Sequence, residues 1–113
     1  AFEMILIKDG VVFKALKPGM YRIAPIIDRI FGYYGLDAVI TSGNDGKHKD
    51  GSLHGKDLAW DLRSHHIPTA DVKWKIFNNL KVELGKDYDL LFENQGMANE
   101  HFHIEFQPRK EGK

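Results

Sequence analysis

The chain has 113 residues, enough to bury one hydrophobic core of ordinary size and not two, so residues 1–113 are expected to form a single domain. Lys plus Arg number 16 against 16 Asp plus Glu, a balance that excludes the broad basic field by which nucleic acid or an anionic membrane surface is held. There is no cysteine, which excludes a disulfide scaffold and a thiolate zinc site and leaves histidine and carboxylate to bind any metal.

The apolar fraction of 42% and charged fraction of 28% are those of a folded chain. At the N-terminus only Met4 to Ile7 are apolar in succession and no basic lead-in precedes them, so neither a signal peptide nor membrane insertion is expected. Met4–Ile7 and Val11–Ala15 flank Asp9-Gly10, a strong hairpin signal, and predict strand, turn, strand. After Pro18-Gly19, the residues Tyr21, Ile23, Ile26, Ile27, Ile30, Phe31 and Tyr34 recur on one helical face, ending at Gly32 or Gly35. Pro25 inside this pattern marks either a later helix start or a kink.

Asp37–Ser42 is a short strand leading into a glycine-bearing loop from Gly43 to Gly55, long enough to suggest a functional segment. Leu58–Arg63 alternates as a strand, with Leu58, Trp60 and Leu62 on one face and Ala59, Asp61 and Arg63 on the other. Thr69 is a good N-cap and Asp71 suits the first turn of a second helix, whose stripe of Val72, Ile76, Leu80 and Leu84 runs to Gly85. Tyr88–Glu93 and Phe102–Gln107 complete a series of six strands and two helices. The fold class is therefore α+β, a mainly antiparallel sheet with two helices packed on it. Trp60 and Trp74 read as core anchors, and His65-His66 before Pro68 reads as an exposed turn pair. Asp45, Asp50 and Asp57 lack the spacing of a calcium loop.

Four of the six histidines fall in two clusters: His48 and His54 in the loop, His101 and His103 near the end. On a strand, His101, His103 and Glu105 project to one side while Phe102, Ile104 and Phe106 pack on the other. With His54 and Asp61, His103 makes two imidazoles and one carboxylate, a donor set that suits a catalytic zinc ion with its fourth position open. Such an ion lowers the pKa of a water towards about 7 and polarises a carbonyl. Amide hydrolysis then needs a carboxylate to move the proton, and Glu93, Glu100 and Glu105 are the candidates.

Ser52-Leu-His54 with Ala59 and Asp61, followed by His101-Phe-His103, resembles the zinc peptidases of the D-alanyl-D-alanine carboxypeptidase type. That group includes phage endolysins, murein peptidases and the hedgehog signalling domain. The resemblance covers roughly residues 39 to 106 and is nearest to the His-x-His branch. It implies a hedgehog/DD-peptidase-like fold, with His54, Asp61 and His103 as zinc ligands and His48 and His101 as auxiliary groups that position water or stabilise an oxyanion. It places the base at Glu100, three before His103, or at Glu93 before the turn into the histidine strand. Alternation sets Glu100 opposite to His101 and His103 and so favours Glu93.

The function implied is hydrolysis of an amide bond in peptidoglycan stem peptides, as endopeptidase or carboxypeptidase, by a monomer acting at the bacterial cell wall. Its alternative is a zinc-bearing binding module without turnover, as in the hedgehog domain. Two departures stand out. Asp57 occupies the position at which the family has glycine, suggesting a loop that bends one or two residues early. No arginine follows Ser42-Gly43, where the carboxypeptidases grip the substrate carboxylate.

Overall fold

The structure is a computed structural model that describes residues 4–44, 54 and 56–108. In chain order the elements are β1 (Ile5–Ile7), α1 (Pro18–Tyr21), α2 (Ala24–Tyr33), β2 (Ala38–Ser42), β3 (Ala59–Arg63), α3 (Ala70–Leu84), β4 (Tyr88–Glu93) and β5 (His101–Phe106). The strands form one five-stranded sheet in the order β1-β2-β3-β5-β4. Only the β1–β2 pair among them is parallel. The α+β class and the mainly antiparallel sheet thus agree with the hydrophobic pattern.

The expected N-terminal hairpin does not form. Asp9-Gly10 does turn the chain, with Gly10 at φ +89°, but residues 11–15 do not return along β1. Instead Ile5, Leu6 and Ile7 pair with Ala38, Val39 and Ile40. The segment after the turn crosses the end of the sheet, where the Val12 carbonyl accepts from Asn44 N at 2.5 Å and Phe13 meets Trp60 edge-on at 6.0 Å. Val11 and Phe13 pack half-buried against the core, while the Val12 side chain stays exposed.

The first helical pattern divides at Arg22 and Ile23. Pro25 lies in the first turn of α2, where its missing N–H removes no helical bond, so it marks a later start and not a kink. α2 runs through Gly32, and the chain turns out at Gly35, φ +71°. α3 begins as expected, with Thr69 Oγ1 accepting from Val72 N at 3.2 Å, and ends at Gly85.

Helices cover one face of the sheet. Ile27, Phe31, Ile76 and Leu80 meet Trp60, Leu62, Leu90, Phe102 and Ile104 in a single core. Trp60 is buried as expected, but Trp74 is 42% exposed and covers Phe77 and Phe92 from the rim. The opposite face carries the residues that alternate with this core set: Asp61 and Arg63 on β3, His101, His103 and Glu105 on β5, and Glu93 on β4. Among the described residues no helix is long and apolar enough to cross a membrane.

Candidate metal centre

Antiparallel register builds the centre. β3 and β5 pair so that Asp61 stands directly opposite His103 and Arg63 opposite His101, which puts all four side chains on the helix-free face. His103 Nδ1 lies 2.9 Å from Asp61 Oδ1. The third member comes from the turn before β3, where Asp57 N donates to the His54 carbonyl. His54 Nε2 sits 3.3 Å from His103 Nδ1 and 3.3 Å from Asp61 Oδ1.

Each histidine is oriented by its other nitrogen. A carbonyl can only accept, so His54 Nδ1 carries the proton it donates to Gly43 O at 2.9 Å and Nε2 faces the cluster. His103 Nε2 is 2.7 Å from Glu105 Oε1, leaving Nδ1 for the cluster. These outer bonds to a carbonyl and a carboxylate are of the kind that fix metal-ligating imidazoles. Gly43 also has a steric reason: a Cβ there would lie 2.7 Å from the Val12 carbonyl oxygen and 2.9 Å from the Phe13 ring.

The charge balance follows from this packing. Burial pushes the Asp61 carboxyl up, but the bonds from His103 and His54 outweigh it and hold the group well below the usual carboxylate range. Burial lowers the His103 pKa, yet its contacts with Asp61 and Glu105 carry it up to about 9. His54 is shifted upward as well, because its bond to Asp61 prevails over burial. Asp61 and Glu105 thus favour protons on the two imidazoles, which a cation bound between the rings would displace.

His54, Asp61 and His103 can hold a metal ion: each offers one donor atom, and the three atoms lie within 4.8 Å of one another. Donors bound about 2.0–2.1 Å from a tetrahedral ion stand roughly 3.3 Å apart, close to the separations observed. His48 and Ser52 lie outside the described residues.

The remaining candidates separate into different environments. His101 donates from Nδ1 to the Asn99 carbonyl at 2.8 Å and presents Nε2 to Glu93 at 3.0 Å and to Asp61 at 3.7 Å. Glu93 is partly exposed and lies on the same face as the donor triad. Glu100, by contrast, is buried before β5, accepting from Ser64 Oγ at 2.7 Å and Gly96 N at 2.9 Å and pairing with Lys73 at 2.8 Å. Glu105 is engaged by His103 and by Gln107.

The histidine pair before Pro68 is also divided. His65 is exposed, whereas His66 is half-buried against Phe31 and donates from Nε2 to the Asp37 carbonyl, so the expectation of two exposed rings holds for only one.

Sequence reading missed two supports of the centre. The Gly43 carbonyl is a backbone atom and has no side-chain signature. Asp57 adopts φ +59°, a left-handed conformation at the position where the resembling family has glycine, while Gly55, where an earlier bend was expected, lies outside the described residues. Its carboxylate accepts from Asn44 Nδ2 and Lys14 N, both at 3.0 Å, and so ties the segments before and after the loop together. An aspartate at a glycine position was the available signal, since Asp tolerates this conformation better than most residues.

No protein-family model, curated protein or solved structure matches the chain.

Proposed function

We propose that the chain is a zinc-dependent amide hydrolase with a hedgehog/DD-peptidase-like fold, acting on peptidoglycan stem peptides. The observation that carries this reading is the convergence of His54 Nε2, His103 Nδ1 and Asp61 Oδ1 within 3.3 Å of one another beside the Glu93–His101 pair. Two nitrogens and one carboxylate oxygen suit zinc, and the three donors leave a position free for substrate or water. The choice of peptidoglycan rests on the resemblance of Ser52-Leu-His54, Asp61 and His101-Phe-His103 to the murein peptidases.

Zinc held by these residues supplies the Lewis acidity that activates a water and polarises the amide carbonyl. Glu93 takes a proton at its carboxylate and returns it to the leaving amine. His101, whose Nε2 meets the Glu93 carboxylate at 3.0 Å, positions that base. Glu105 and the Gly43 carbonyl keep the ligand rings turned inward. Glu100 holds β5 to α3 through Lys73, a structural task that favours Glu93 as the base.

Purified protein incubated with murein should release new amino groups, and a chelator should stop the release. Absence of metal-dependent release from every murein chemotype would reject hydrolysis in favour of a zinc-bearing binding module.

A further inference from the structure

We infer that the cleft beside the donor triad is an anion subsite, in which Arg63 and Lys8 hold a carboxylate of the bound peptide; identifying the anion as a peptide carboxylate rests on the peptidase reading. The cleft has a volume of about 310 Å³ and is bordered by Lys8, Ser42, Asp61, Arg63, His65 and His101. It adjoins the triad, since it shares Asp61 with it, and His101 Nε2 is 3.7 Å from Asp61 Oδ1.

The cations are placed by topology. Lys8 follows β1 and is fixed by its backbone N–H, which donates to Ile40 O at 3.0 Å. Arg63 lies two residues beyond Asp61 on β3, hence on the same face, and opposite His101 on β5.

The Arg63 charge lacks local compensation among the described residues. Arg22 bonds to the Tyr88 hydroxyl and Arg29 pairs with Glu83, but the Arg63 guanidinium has no ion pair or hydrogen bond among the described residues. Its Nε is shielded from solvent and meets no acceptor among them. The acids nearby are already engaged: Asp61 by His54 and His103, Glu93 by His101, and Glu100 by Lys73, Ser64 and Gly96.

A planar guanidinium and an ammonium lining one cleft match the two oxygens of a carboxylate, and Ser42 borders the same space. One extended residue spans roughly 3.3–3.6 Å, so a carboxylate held here belongs to a residue close to the bond being cut. The cationic groups come from the residue after β1 and from β3.

Calorimetry on the zinc-loaded Glu93→Gln protein, which would not consume its ligand, can test this with three probes. They are N-acetyl-D-Ala-D-Ala, its C-terminal amide, and an amidated peptide carrying a glutamate side chain. At least one carboxylate probe should bind about 10- to 100-fold more tightly than the neutral amide, and which one does so separates a chain-end carboxylate from a side-chain carboxylate.

Arg63→Gln should erase the preference, and Lys8→Gln should weaken it and serve where Arg63→Gln fails to fold. Equal binding of all probes, no binding of any, or a preference unchanged in these variants would overturn the subsite. Murein release with no carboxylate preference would remove the subsite and leave the hydrolase reading. A carboxylate preference without murein release would do the reverse.

Discussion

Asp57 takes a conformation that glycine adopts without strain, and its carboxylate ties Asn44 to the backbone of Lys14. Asp57→Gly should therefore lose the hydrogen bonds but keep the backbone, while Asp57→Ala loses both and adds about 1–2 kcal/mol of left-handed strain. Urea unfolding should rank the proteins wild type, Gly, Ala in falling stability. An alanine variant as stable as the glycine variant would mean that the conformation at 57 carries no strain.

The two glutamates should part in the same way. Glu93→Gln should lose on the order of 10² or more in murein turnover while retaining zinc. Glu100→Gln should mainly lose stability, about 1.5–3 kcal/mol for charged hydrogen bonds to a buried group. Steady-state assays on folded, zinc-loaded protein distinguish these results, and equal mild losses would leave neither residue as the base.

Among the elements, strand and helix positions were legible where side chains alternate or recur against one core. β3 and β5 show the pattern plainly because Trp60, Leu62, Phe102 and Ile104 point inward while Asp61, His101 and His103 point outward. The segment after Asp9-Gly10 was not legible, because that dipeptide signals a turn and not the partner of the residues that follow. Val12 and Phe13 find theirs at Asn44 and Trp60, more than thirty residues away in sequence. Likewise His54, Asp61 and His103 announce themselves by type and spacing, while the Gly43 carbonyl and the Lys73–Glu100 pair depend on the folded register.

That pair makes the junction of α3 and β5 sensitive to acid. Burial pushes the Glu100 carboxyl up, but bonds from Gly96 N, Lys73 and Ser64 bring it below its ordinary 4.5. A carboxyl lowered by folding contributes stability that is present above its unfolded pKa and is lost as pH falls through the folded one. Wild-type stability should therefore decline below about pH 4.5, and Glu100→Gln should lack that part of the decline. Parallel pH profiles for the two proteins, measured by urea unfolding, would contradict the assignment.

At the scale of the whole molecule, the sheet divides its faces: helices and apolar side chains on one, the donor triad and its neighbouring carboxylate, imidazole and guanidinium groups on the other. Function is then a property of register, since a one-residue slip of β5 against β3 would turn His101 and His103 into the core and Phe102 outward. The most direct measurement is zinc stoichiometry by equilibrium dialysis for the wild type and for His54→Ala, Asp61→Ala and His103→Ala. One tightly held zinc per wild-type chain, lost in each variant that still folds, is the predicted result. No zinc on the wild type, or full retention by any of the three variants, would contradict the proposed centre.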